Sequence, residues 1–233
     1  MSTATESAAQ MRYARIAGFV YLLLIVLFMG GQLLIGHVTG SGTFAERTTR
    51  IASELPLYRA ALVLQFLASV FTVLLAYSLY VVLKSVDEHV ARLALYFRLG
   101  EAFGGLTAFV TFAALALRTE PKFAQSLGTA PVEALVGLAQ AADFASFNIG
   151  IVFFSFGSTL FYRLFLRTPY LPRALSAFSM FASALTFVVA VTSLVMPAWG
   201  DALQVGWIPI FIAEIVTGIL LLVRGARPAP IAG

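Results

Sequence analysis

IAGFVYLLLIVLFMGGQLLIG, residues 16–36, is the stretch whose reading decides the fold. It runs from Ile16 to Gly36 without a charged side chain. A helix of that length, at 1.5 Å per residue, spans about 30 Å, the hydrocarbon thickness of a bilayer. Five further runs share its character: Ala60–Leu83, Val90–Leu117, Phe144–Leu166, Leu175–Met196 and Trp207–Val223. In lipid the backbone must satisfy its own hydrogen bonds, so each run reads as a helix. They lack the polar/apolar alternation of barrel strands and are about twice too long for them. The expected architecture is all-α: a polytopic membrane protein, a bundle of about six transmembrane helices.

Composition points the same way. The 233 residues are 60% hydrophobic and only 11% charged, against about a quarter charged in soluble proteins. Lipid must therefore be the solvent for much of the chain. No Pro/Ser/Gly-rich linker divides it, so residues 1–233 form a single membrane domain, with residues 1–11 expected as a disordered N-terminal tail and 225–233 as a C-terminal tail. The first run is longer than a signal-peptide core, and Gly36-His37-Val38-Thr39-Gly40 offers no cleavage site. It reads as a retained anchor.

The net charge of +4 has a topological explanation. Arg12, Arg15, Lys84, Arg92, Arg163, Arg167, Arg173, Arg224 and Arg227 fall on one side, and Arg47, Arg50, Arg59, Arg118 and Lys122 on the other. Nine against five favours both termini in the cytoplasm. Trp199 and Trp207 bracket the last external loop, as interfacial tryptophans do. No basic stripe interleaved with aromatics appears, so nucleic acid is excluded as a partner. Membrane lipids are the expected surroundings.

The chain has no cysteine, which removes disulfides, thiol nucleophiles and cysteine metal sites together. His37 and His89 fall where the chain leaves a hydrophobic run, so no metal and no cofactor is expected. Neither a Gly-x-Ser-x-Gly turn nor a His-Glu-x-x-His pair occurs. An enzyme is the least supported class.

Two segments outside the runs carry local signals. Thr43-Phe44-Ala45-Glu46 matches a capping box, and the following turns place Phe44, Thr48, Ile51 and Leu55 on one face of a short surface helix. Pro131 suits a first helical turn, so the fourth helix is expected to begin near Val132 and project beyond the bilayer.

Inside the runs, polar residues recur at helical spacing. The fifth shows Ser176, Ser179, Ser183, Thr186, Ala190 and Ser193; the second shows Gln65, Ser69, Thr72, Ala76 and Tyr80; the fourth shows Asn148, Ser155, Thr159 and Tyr162. Small and hydroxylated stripes are the ordinary glue of membrane helices. Gly100-x-x-x-Gly104 is likewise a close-contact motif.

Ionisable residues carry more. Arg98 and Glu101 lie three apart on one helix face, and Glu214 sits near the middle of the last run. A charge at the bilayer centre costs at least ~2.5–3.5 kcal/mol, so each should be paired or face a cavity. With Arg98 matched by one glutamate, the second is left over. It either stays protonated or binds a cation. Leu57-Tyr58-Arg59-Ala60 and Leu171-Pro172-Arg173-Ala174 open the second and fifth runs as a faint internal echo, with Glu101 and Glu214 at matching offsets.

Several segments together resemble a bacterial family of multi-helix membrane proteins catalogued as domain of unknown function 4386. They are Ala14-Arg15-Ile16-Ala17-Gly18 leading into Tyr21, Tyr58-Arg59, Tyr77-Ser78-Leu79-Tyr80, Phe97-Arg98-Leu99-Gly100-Glu101-Ala102, Tyr170-Leu171-Pro172-Arg173, and Ile212-Ala213-Glu214 followed by Leu220–Gly225. The resemblance implies a six-helix bacterial membrane protein and no particular activity or cofactor. Arg59, Arg98, Glu101, Arg173 and Glu214 match its recurring polar positions. Late in the last helix, where the family often has an aromatic, this chain has Thr217-Gly218-Ile219-Leu220, and nothing is carried over there.

The functional expectation is an integral membrane protein of the bacterial cytoplasmic membrane that binds or transports a small ligand, a proton or a cation at an intramembrane Arg/Glu cluster. The candidate ligand-binding residues are Arg98, Glu101, Glu214, Arg59, Gln65, Asn148 and Arg173. The alternative is a structural or regulatory membrane subunit in which the same charges serve helix packing.

Overall fold

A computed structural model describes residues 3–104 and 107–226. Helix α1 covers Thr3–Thr39, α2 Phe44–Ser53, α3 Leu55–Leu83, α4 Glu88–Gly104 and α5 Ala108–Thr119. They are followed by α6 (Pro121–Leu127), α7 (Thr129–Phe165), α8 (Arg173–Val195), the short α9 (Gly200–Leu203) and α10 (Ile208–Arg224). No strand occurs among the described residues. Six segments among the described residues are long and apolar enough to cross a membrane: Ala8–Thr39, Leu55–Leu83, Glu88–Thr119, Thr129–Phe165, Arg173–Val195 and Gln204–Arg224. Each contains one of the six runs read from hydropathy, apart from an end residue here and there. This is a multi-pass membrane protein.

The helices overshoot the runs. α1 is helical from Thr3, through most of the stretch expected as a tail, because Gln10 near its start donates to Val82 O (3.3 Å) in the last turn of α3 and to Ser85 Oγ (2.7 Å) just beyond it. Met1, Ser2 and, of the C-terminal tail, residues 227–233 lie outside the described residues. α7 begins at Thr129, with Pro131 in its first turn, and its 37 residues reach about 55 Å, well beyond a hydrocarbon core. Of the third run, α4 is described as far as Gly104 and α5 from Ala108, and Thr107 Oγ1 donates to the Gly104 carbonyl at 2.8 Å.

The spanning helices close a ring. α1 packs on α3, α3 on α4, α4 on α7, α7 on α8, α8 on α10 and α10 on α1. Glycines set the closest approaches. Gly18 of α1 meets the backbone of α10 at Gly218 and Leu222, where an added Cβ would overlap the Leu222 amide nitrogen. Gly31 packs on Ala61 and Gln65 of α3 in the same way, and Gly104 faces Ser146 and Gly150 of α7. At the end of α10, Gly225 takes φ +66° and lies against Met11, which brings both ends of the described chain to one end of the bundle. The apolar core there joins Ala14, Ala17, Leu79, Leu83, Phe161 and Phe165. Along α8 the stripe Ser176, Ser179, Ser183, Thr186, Ala190 and Ser193 is buried throughout, and Thr186 pairs with Ser155 of α7 at 3.0 Å.

α2 caps the opposite end. Its capping box is formed: the Thr43 amide donates to Glu46 Oε2 at 2.8 Å and the Glu46 amide to Thr43 Oγ1 at 3.3 Å. Ile51 is buried against Val38, Leu62 and Leu115, and the Phe44 ring lies under the Arg118 guanidinium at 4.7 Å. The Thr43 hydrogen bonds hold the Glu46 carboxyl below its ordinary range. A carboxyl lowered by folding stabilises fully above the unfolded glutamate pKa of about 4.3, and that contribution fades as pH falls through the lower folded value. Amides of α2 are therefore expected to be better protected from hydrogen exchange in the native chain than in Glu46→Gln at pH 7. The difference should shrink as pH falls through the folded value; one that persists unchanged in acid contradicts the cap.

Candidate functional site

Arg98 is the largest fully buried side chain described, 2% exposed. Burying a guanidinium requires a channel for its stem and partners for its head. Gly157 of α7 supplies the channel: a Cβ there would lie 2.8 Å from Arg98 Cγ and 3.1 Å from the Ala94 carbonyl. One helical step on, Ser158 Oγ accepts from Nη1 at 3.2 Å. One turn before, Phe154 sets its ring 4.7 Å from the guanidinium carbon, a cation–π contact that gains strength where water is excluded. Glu101, one turn further along α4, completes an ion pair with Nη1 at 3.0 Å, its side chain 19% exposed.

Glu214 enters from α10, across the ring, within electrostatic reach of Arg98. Among the described residues its Oε1 is buried with no hydrogen-bond partner, as are Arg98 Nε, Glu101 Oε2 and Ser179 Oγ. The phenols of Tyr21 (α1) and Tyr162 (α7) adjoin beside it. Tyr162 donates to Thr217 Oγ1 at 3.3 Å and neighbours Ser179 of α8. Five helices thus contribute to one polar centre: α1, α4, α7, α8 and α10.

Of the seven residues singled out from sequence, Arg98, Glu101 and Glu214 share this centre. The other four have different settings. Gln65 donates to Gln32 Oε1 at 2.8 Å between α3 and α1. Asn148 is buried, but its amide returns to the Phe144 carbonyl of its own helix at 2.9 Å. Arg59 and Arg173 are exposed near the starts of α3 and α8 and make no ion pair or hydrogen bond among the described residues. His37 and His89 are exposed. Among the described residues, no group of three or more His, Asp or Glu is placed to hold a metal ion.

The family described as "Domain of unknown function (DUF4386)" matches residues 16–225. The chain belongs to that family. No curated protein and no solved structure matches it. The DUF4386 match takes in all the residues of the polar centre, from Tyr21 to Thr217.

Sequence reasoning missed Gly157, Ser158, Tyr21 and Thr217 as parts of this DUF4386 centre. One signal was available. A buried arginine needs both space and acceptors, and Gly157-Ser158 offers them side by side within the fourth run. Thr217-Gly218, where the chain departs from the aromatic pattern, serves twice: Thr217 accepts from Tyr162 and Gly218 receives Gly18.

Proposed function

We propose that this protein is a membrane transport or ligand-binding module whose Arg98–Glu101–Glu214 centre holds one exchangeable proton. The observation that carries the reading is Glu214 Oε1, buried and unpartnered beside an arginine that already has Glu101 as its counter-ion. Two carboxylates against one guanidinium leave a surplus negative charge in the bilayer, where unmatched charge is costly. A proton on Glu214 removes it without a separate cation having to sit beside Arg98. Tyr21, Tyr162, Thr217 and Ser179 supply hydroxyls that can exchange hydrogen bonds as the proton arrives and leaves. The reading places the protein in a bacterial cytoplasmic membrane with both termini inside, supported by the nine-to-five distribution of Lys and Arg.

Liposomes containing the reconstituted protein and an internal pH-sensitive dye test this. The native chain is expected to dissipate an imposed pH gradient and Glu214→Gln to lose that activity while remaining folded. Equal dissipation by both proteins, or by neither, contradicts the proposal. The fit of Arg98 between Gly157 and Phe154 favours a second reading, a packing lock within a structural subunit. Under it Glu214→Gln changes no flux.

A further inference from the structure

Away from the polar centre, the outer wall of the bundle carries a groove of about 630 Å³ between α1, α3 and α10. Its floor and sides are apolar, with Phe19 of α1, Phe71 and Leu74 of α3 and Leu222 of α10. Arg12 and Arg15, one turn apart on α1, stand at its mouth, both exposed. The lining follows one face of α1 from Ala8 to Phe19, about 16 Å of helix. Close packing forms the groove's back: Gly18 and Gly218 pull α1 onto α10, and the larger side chains of α1 and α3 flare outward to either side.

We infer that this groove is a binding site for an anionic glycerophospholipid, an acyl chain lying along Phe19, Phe71, Leu74 and Leu222 and the phosphate meeting Arg12 and Arg15. Charge complementarity chooses the occupant. Two guanidiniums at the level where a spanning helix leaves the bilayer match a phosphate that bears net negative charge, and paired N–H donors fit phosphate oxygens. Basic pockets between transmembrane helices hold anionic headgroups by this logic. An uncharged or zwitterionic lipid fills the apolar part equally well but leaves the arginines without net compensation. Arg12 is already held, its guanidinium 5.2 Å from the Tyr13 ring centre. The site is separate from the proton-exchange proposal and stands or falls without it.

The test is native mass spectrometry of the detergent-purified full chain with dioleoyl phosphatidylglycerol or dioleoyl phosphatidylcholine. Phosphatidylglycerol is expected to be retained as one preferred copy. At roughly 1 kcal/mol per basic residue, retention should fall about fivefold for Arg12→Gln or Arg15→Gln and about 25-fold for both. Arg163→Gln with Arg173→Gln removes the same charge at the same end of the bundle and is expected to change retention little. Leu74→Trp, at a half-exposed position, should displace the chain with both arginines intact. Equal retention of the two lipids, an unaffected Arg12/Arg15 double variant, an equal loss in the Arg163/Arg173 control, or full retention in Leu74→Trp overturns the site.

Discussion

Replacing Arg98 with Met is expected to destabilise the protein by about 3–5 kcal/mol, the cost of leaving one member of a buried ion pair without the other. Methionine fills the stem's channel along Gly157, so volume is nearly kept. The loss falls on the head. Glu101 loses its counter-ion at 3.0 Å, Ser158 loses its donor, and Phe154 loses the cation above its ring. Glu214 loses the same cation from across the ring. The double variant Arg98→Met/Glu101→Gln makes the pair neutral and is expected to recover most of the loss, because removing both partners leaves no stranded charge. Thermal unfolding in detergent micelles measures both. A single variant as stable as the double one shows that the charges are not coupled.

The second large effect belongs to Gly18. Its added Cβ meets backbone, the Leu222 amide and the Gly218 carbonyl, and backbone cannot rotate away as a side chain can. Gly18→Val therefore forces α1 and α10 apart, at about 3 kcal/mol or more, the upper end for overpacking. That separation also withdraws Tyr21 from Tyr162 and Glu214. Gly36, on the same helix, has open space around its Cβ position, so Gly36→Val is expected to stay within about 0.5 kcal/mol of the native chain. Similar losses at the two positions contradict the α1–α10 approach.

The six spans were legible because hydropathy over some 20 residues is a property of the chain in one dimension and lipid enforces it. Their ends were not. The helical start of α1 at Thr3 depends on Gln10 reaching Val82 and Ser85 at the end of α3, a contact set between segments. Only the early start of α7, flagged by Pro131, was an exception. The α2 capping box was readable because Thr43 and Glu46 are three residues apart. The same locality revealed Arg98 with Glu101.

Glu214 was found by cost alone, since nothing in α10 names its partner on α4. Gly18 was opaque for a related reason, and Gly157 had only its place beside Ser158 to suggest a notch for an arginine. A glycine's worth as a notch depends on what crosses it, here a guanidinium stem and a helix backbone. The echo between Arg59 and Arg173 was a pattern in the sequence that the fold places at exposed helix starts.

The account turns on a single carboxyl group: Glu214, facing a centre whose one cation is already matched. Infrared spectroscopy of the protein in lipid at neutral pH observes it through the carbonyl stretch of a protonated carboxylic acid. The account predicts one such band from the intramembrane glutamates, lost in Glu214→Gln and shifted when Arg98 is replaced. A spectrum with no protonated carboxyl, or with a band that Glu214→Gln leaves untouched, contradicts it.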